Sequence, residues 1–422
     1  MFGWFAKKKI PEQSVQEDVI DDKELEINGI DPVDQIEDIP SKEEALTDFS
    51  CDYPGYLVLD KEQILNLFTN FNGYQQTDDT RHELGHKKGG RICGDMVMQG
   101  KLRSISKEVI KQIGRKILTG SLNLTKISFP IKAMIPKTAL ETAVHATCLF
   151  PFYLNKAAIE SDPLERFKYV IVTTISSFYY TNTFLKPLNP VLGETLQAEF
   201  RDGTQVYCEQ ISHHPPISYF LIFGPNNSYK YYGRYDYDAK AGLNSLSIYN
   251  KGQRSIIFND GQKIDFDFPN EQYSGTLIGT LKQESIGKMV FQDIQNDLNC
   301  EICFGKVKNK PSDYFQSTIN KGKQQICQIQ GTYLGYIDIN DKRYFDHREF
   351  TPIAVLFIHI YFLIQLKQKI EMKKNDETLS SDHKKRNDLI TLKQGNIKQA
   401  QIEKEIIEKA QRYDNNLRKQ RR

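Results

Sequence analysis

Lysine and arginine are nearly missing from residues 12–48, which hold fourteen acidic side chains against only Lys23 and Lys42. That segment carries −12 while the whole chain carries +2, so the other residues carry +14. A remainder that basic favours an anionic partner: nucleic acid, anionic lipid or a phosphorylated ligand. Aromatic residues are scarce between Phe5 and Phe49. Little to bury and much charge predict that residues 1–50 are disordered. Cysteine is sparse, odd in number at seven, and scattered. This excludes a disulfide framework and predicts reduced thiols in the cytosol. The opening MFGWFAKKKI lacks a long apolar stretch before a small-residue cleavage site, so no secretory leader is expected. The most apolar run, residues 353–366, falls short of the ~20 residues of an ordinary membrane-spanning helix. It reads as a buried insertion, a membrane-dipping segment or an error in the predicted gene.

What is present suits a soluble globular chain. It has 422 residues, 39% of them apolar and 26% charged, enough for one large domain or two ordinary ones. Residues 56–71 can form one short helix, and residues 77–100, rich in Gly, His and charge, read as linker. The acidic, largely disordered region is therefore set at 1–100, and the folded domain at 101–422. From Ser104, a candidate N-cap, Ile105, Val109, Ile110, Ile113, Ile117 and Leu118 recur at helical spacing, with Gly120 near the stop. Lys107, Lys111, Arg115 and Lys116 occupy the other faces. A second helix fits residues 162–180, with Asp162 as N-cap and Pro163 at the first helical position.

Residues 195–344 read as many short strands, aromatic or β-branched and bounded by Gly, Asn, Asp or Pro. Such spacing predicts a mainly β fold with flanking helices, built as a large, nearly closed antiparallel barrel. A barrel of that size can enclose a ligand cavity. The tail, residues 396–422, returns to helix. Ile402, Ile406, Tyr413 and Leu417 make one stripe on it, and Lys404, Glu408 and Arg412 make another, each four residues from the last.

Three constellations bear on chemistry. His82, Glu83 and His86 spell H-E-x-x-H, which on a helix would bind zinc for a metallopeptidase with Glu83 as general base. The third histidine of the longer pattern would fall at Ile92, however. Gly85, Gly89 and Gly90 break the helix, and Arg81, Lys87 and Lys88 surround it, so a solvated loop is the better reading. Cys300 and Cys303 form a lone C-x-x-C inside a strand pattern, where residues three apart face opposite sides. The third is "CEQISHHPPISYF", residues 208–220. Pro215 and Pro216 cannot donate to a strand ladder, so the strand stops there, at a rim. His213 and His214 can then turn to one mouth and meet a phosphomonoester with charge-assisted hydrogen bonds. Structural histidines are the rival reading. No G-x-S-x-G nucleophile elbow appears in the chain.

Within that stretch, "EQISHHPP" resembles the E-Q-V-S-H-H-P-P signature of the oxysterol-binding-protein-related lipid-transfer family. "LKPLNPVLGET" (185–195), "LTKISFPI" (124–131) and "KEIIEKAQR" (404–412) resemble three further blocks of that family, in the expected order. The resemblance covers roughly residues 104–422. It implies a nearly closed antiparallel barrel around a lipid tunnel, an N-terminal lid at about 104–128, and a C-terminal helix. It implies phosphatidylinositol 4-phosphate as shared ligand, with a sterol or phosphatidylserine as the second lipid. By motif, Lys186, Asn189, His213 and His214 hold the headgroup, joined by Lys404, Glu408 and Arg412. The expected partners are these lipids and an anionic membrane surface, not nucleic acid. No catalytic residue, metal or cofactor is expected. The resemblance also implies a cytoplasmic protein peripherally associated with membranes. A sensor that binds phosphoinositide without transferring it remains the nearest alternative.

Overall fold

The computed structural model describes residues 79–113, 129–147, 149–181, 184, 186–200, 203–213, 215–350, 371–372 and 378–420. The acidic region 1–50, the helix expected at 56–71, the apolar run at 353–366, residues 114–128 of the expected lid and His214 lie outside them.

Two short strands open the described chain: β1 (Arg91–Ile92) and β2 (Met134–Thr138). The strand β3 (Lys186–Leu188) pairs in parallel with β2, matching Met134 with Lys186. All other strand pairs are antiparallel. Strands β4 (Thr195–Glu199), β5 (Gln205–Ser212), β6 (Ile217–Phe223) and β7 (Tyr229–Ala241) form a meander. At thirteen residues, β7 is long enough to serve two partners. Its second half pairs with β8 (Ser245–Asn250), and its first half with β9 (Arg254–Phe258). The sheet therefore divides there. One course runs from β9 through β10 (Lys263–Phe266). The other runs from β8 through β11 (Asn270–Ser274) and β12 (Lys282–Ile286) to β1. The first course continues from β10 into β13 (Lys288–Asp293), β14 (Leu298–Cys303) and β15 (Tyr314–Lys321). It goes on through β16 (Gln324–Thr332) and β17 (Tyr336–Ile339) to β18 (Lys342–Asp346). A last strand, β19 (Glu371–Met372), pairs with β4. Among the described residues the forked sheet thus has three ends, β1, β18 and β19.

Four helices of eight residues or more lie between β1 and β3 among the described residues. Helix α1 (Met96–Ile113) starts eight residues before the expected Ser104. Its cap is Asp95, whose carboxylate accepts from the amides of Val97 and Met98 at 2.8 and 2.9 Å. Ile105 and Val109 pack on Ala133 and Phe129, leaving Lys107 and Lys111 exposed. Helix α2 (Ala139–Ala146) leads to α3 (Phe150–Ile159) and α4 (Pro163–Ser176). Asp162 caps α4 through the amide of Leu164, and Pro163 is its first residue, as the sequence predicts. Both α3 and α4 belong to the main core with the inner faces of the strands. Leu154, Ala157, Phe167, Val170, Ile171, Val172 and Ile175 are fully buried among Phe291, Ile256 and Ile329. Phe150 stacks on Tyr231 with ring centres 4.8 Å apart.

The expected linker is packed instead. Arg81 binds Asp313 through two contacts of 2.8 and 2.6 Å, and the carboxylate is fully buried. Asp313 also accepts from the Thr332 hydroxyl and the Gly90 amide. Gly89 and Gly90 have φ of +119° and +77°, and a Cβ on Gly89 would meet the Ser312 hydroxyl. The glycines that read as linker are therefore what lets the segment press against the sheet. Removing the cation should leave a buried carboxylate uncompensated. Arg81→Ala should cost about 2–4 kcal/mol in denaturant unfolding. A loss within about 0.5 kcal/mol, the range of ordinary surface substitutions, would show that the segment is a linker after all.

Candidate functional site

Strand β5 ends at Ser212, and His213 begins the turn that carries Pro215 and Pro216. A register shift between Gln210 and Ser212 marks where the ladder breaks. Gln210 is fully buried and holds that end in place. Its amide donates to the Glu194 carbonyl at 2.9 Å, and its carbonyl accepts from Gly193 at 2.8 Å. The 208–220 stretch is thereby tied to the 185–195 stretch, which no spacing in the sequence would reveal.

The 185–195 stretch is fixed from a third side. Arg386 donates to the Asn189 carbonyl at 2.8 Å and to the Glu194 carboxylate at 2.7 Å. Its guanidinium also forms a two-pronged pair with Asp388, at 2.9 and 2.6 Å. Burial opposes the charge of Arg386, but Glu194 and Asp388 outweigh it and hold the guanidinium charged. Asp388 opens helix α5 (Asn387–Lys393), and α6 (Ile397–Gln420) follows. Leu389 and Leu392 of α5 and Ala400 of α6 pack on Ile131, Met134 and Leu188. That packing sets the first turns of α6 against β3.

Lys186 is the consequence. Its ammonium donates to Asn189 Oδ1 at 2.6 Å and lies 5.6 Å from the centre of the Phe129 ring. Among the described residues it has no carboxylate in ion-pair contact. Burial, then the charge of Lys404, push its pKa down to about 8 from the ordinary lysine value of 10.5. Lys404 is itself buried and contacts Glu408 one turn on. Arg412 lies a further turn along and is exposed. The structure thus gathers Lys186, Asn189, Lys404 and Glu408, and adds Arg386, Glu194 and Asp388, which the sequence does not reveal. The apolar stripe of α6 turns to solvent: Ile402, Ile406 and Tyr413 are at least half exposed.

Strands β8 and β11 differ in burial from the rest of the sheet. In β6 and β13 buried residues alternate with more exposed ones, as on a packed core. In β8 and β11 every residue is half-buried. Neither face of these two strands is closed over as the core-facing sides of β6 and β13 are. Tyr237, at the far half of β7, is 37% exposed, yet burial pushes its phenol up to about 12. Burial likewise raises the carboxyl of Glu271. Both groups are desolvated by the protein around them without being closed off from solvent.

The zinc reading finds no support in the geometry. Residues 82–86 form a turn, not a helix. Nδ1 of His82 accepts from the Leu84 amide and Nδ1 of His86 from the Lys88 amide. Burial, the largest cause, pushes His82 down to about 4. Cys300 is buried while Cys303 is half exposed, on opposite faces of β14 as strand geometry requires.

Comparison with known proteins agrees. The family model described as oxysterol-binding protein matches residues 113–422. Oxysterol-binding protein 9 of Dictyostelium discoideum is 32% identical over 368 residues, covering 81% of this chain and 82% of that one. Oxysterol-binding protein-related protein 8 of Mus musculus is 27% identical, over 63% of this chain but only 31% of its own length. The chain thus spans about a third of that longer relative. Among solved structures, the Osh3 ORD of Saccharomyces cerevisiae in complex with PI(4)P aligns with a TM-score of 0.60 at 20% identity, over 74% of this chain and 84% of that one. The Osh1 ORD domain in complex with ergosterol also aligns at 0.60, with 18% identity, over 85% and 87%. Fold, motif order and sequence converge: the chain belongs to the oxysterol-binding protein family.

Proposed function

We propose that the chain binds phosphatidylinositol 4-phosphate at the Lys186 cluster and exchanges it between membranes for a second lipid, a sterol or phosphatidylserine. The observation that carries this reading is Lys186: an ammonium held with a depressed pKa beside a second lysine, with no carboxylate in ion-pair contact among the described residues. A phosphate monoester carries about −1.5 to −2 charges near neutral pH and would supply the missing counter-charge. His213 sits at the end of β5, joined to the same cluster through Gln210, and His214 follows it in sequence. Relatives support the ligand classes, since related domains have been crystallised with PI(4)P, ergosterol and cholesterol.

The mechanism is extraction and exchange, with no bond made or broken. Acyl chains or a sterol body buried behind β8 and β11 gain ~0.8 kcal/mol per CH₂ relative to water. The headgroup stays at the rim, where Lys186, Asn189, Lys404 and the histidines meet it. Glu408 keeps Lys404 in place, and Arg412 reaches toward the ligand from the next turn of α6. Two lipids that share one cavity compete, so a phosphoinositide gradient can drive the other lipid. The segment around α1 serves as lid. The protein works in the cytoplasm, peripherally associated with membranes; no helix of the described residues is long and apolar enough to cross one.

Lys186→Ala tests the site. A near-surface unit-charge pair at about 4 Å has ~4 kcal/mol of gross Coulomb energy. Desolvation and side-chain entropy reduce the net loss to ~1–2 kcal/mol, roughly tenfold in affinity. In competition assays with both lipids in the same liposomes, phosphoinositide binding should fall about tenfold and binding of an uncharged second lipid should hold. Equal loss for both would make Lys186 a support of the fold.

The pair His213→Ala with His214→Ala should abolish phosphoinositide extraction from liposomes in a protein that still melts cooperatively. Each lost donor to a charged group is worth ~1.5–3 kcal/mol. Undiminished extraction by the folded double variant would remove the histidines from the site. Binding without any movement of lipid between liposome populations would favour the sensor reading.

A further inference from the structure

Three segments far apart in sequence meet at one end of the sheet, and each presents an apolar side chain to solvent. The turn between β7 and β8 exposes Leu243 at 59%. The turn between β11 and β12 exposes Ile278 at 73%. The first residues of α1, Met96 and Val97, are 73% and 83% exposed. A chain usually rounds its turns with polar or small residues, so three apolar tips at one place call for a reason.

The tips are held together and held firmly. Asn244, next to Leu243, accepts from the amides of Leu277 and Ile278 through Oδ1 at 2.8 and 3.1 Å. Its side-chain amide donates to the Ile278 carbonyl at 3.0 Å. Its own carbonyl accepts from Gly275 at 3.1 Å. One side chain therefore staples two turns. On the other side, the Cys93 amide donates to the Leu281 carbonyl at 2.9 Å, and Arg103 of α1 donates to the Gly279 carbonyl. The start of α1 thus lies along the second turn. Such a rim pays no ordering cost when it meets a partner.

The charge around the tips selects the partner. On α1, a turn of 100° per residue places Met96, Val97, Lys107 and Lys111 away from the buried Ile105 and Val109. Within α1 the charged residues are Lys101, Arg103, Lys107 and Lys111 against Glu108 alone, and Glu108 is paired with Lys132 at 2.8 Å. Lys240 is exposed at the end of β7, beside the Leu243 turn. Asp95, the acidic residue next to Met96, has its carboxylate occupied by the helix amides. Apolar tips set among lysines fit a bilayer surface bearing anionic lipids: the side chains enter the acyl boundary while the ammonium groups meet headgroups. Helix α1 has 18 residues, about 27 Å at 1.5 Å per residue. It runs from these tips toward Phe129, the ring beside Lys186.

We propose that Leu243, Ile278, Met96 and Val97 form a preassembled membrane-insertion rim, which docks this end of the sheet on an anionic bilayer independently of the phosphoinositide site. The test uses the full chain and vesicles of phosphatidylcholine, with or without phosphatidylserine and lacking phosphoinositide. Flotation should show association that rises with phosphatidylserine. Leu243→Asp with Ile278→Asp should weaken it by about tenfold or more, from the lost burial of two apolar side chains. The same variant should keep its melting temperature and its affinity for a water-soluble, short-chain phosphoinositide. Loss of that soluble binding as well would show that the turns support the fold, and would overturn the proposal without touching the headgroup site. A second measurement avoids any folding penalty. The chain has one tryptophan, Trp4. In a Trp4→Phe background, Ile278→Trp should shift its emission to the blue on adding anionic vesicles. An unshifted spectrum, vesicle association unchanged by the aspartates, or a concentration-dependent dimer that buries the same tips would each overturn the proposal.

Discussion

Lys186 is an ammonium held where an ammonium is uncomfortable, and the rest of the structure makes that possible. Its only side-chain hydrogen-bond partner among the described residues is the neutral Asn189. Its charged neighbours include Lys404 and Arg386, both cations. Left alone, such a group would swing to water. It is kept in place because β3 is pinned in parallel to β2 and because Leu188 is buried against Leu389, Leu392 and Ala400. The hydrophobic contact of α5 and α6 with this small sheet therefore has an electrostatic result: it brings two lysines together near one carboxylate, Glu408, which is in contact with Lys404. Pre-formed positive potential is an arrangement that an anionic headgroup relieves.

The ion pairs around the cluster divide into two kinds. Arg386 with Glu194 and Asp388, like Arg81 with Asp313, is deeply buried and closed on itself. Such groups fix geometry, since removing one partner leaves an uncompensated charge. Lys186 is left open. The first kind holds the loops; the second is what a ligand completes. The lipid space proposed behind β8 and β11 fits the same division, for its wall is stiffened by the β7–β8 and β11–β12 hairpins.

Much of this was legible in the sequence, and the reasons are local. Strand ends announce themselves by proline, so the stop at Ser212 follows from Pro215 and Pro216. The row of Lys404, Glu408 and Arg412 follows from helical spacing. The cap at Asp162 follows from the proline after it. What stayed hidden depends on contacts between distant residues. Arg386 and Glu194 are 192 positions apart, and Arg81 and Asp313 are 232 apart. No pattern along the chain marks either pair. Glycines and charges in 77–100 read as linker because the buried carboxylate that they surround lies elsewhere in the chain. The start of α1 was misplaced because Gly100 interrupts the apolar spacing, while Asp95 supplies a cap that outweighs it. On α6 the apolar stripe was plain, but the residues that are buried are Ala400 and Lys404, so a hydrophobic pattern alone names the wrong face.

The central claim is that Lys186 waits, poorly compensated, for an anion. Magnetic resonance of isotope-labelled lysine side chains, with Lys186→Met to assign the signal, measures it directly. The account predicts that Lys186 titrates near 8 in the lipid-free protein and moves upward when a short-chain phosphatidylinositol 4-phosphate is added, because a phosphate favours the charged form. Titration near the ordinary lysine value without ligand, or a value that the phosphoinositide leaves unmoved, would contradict it.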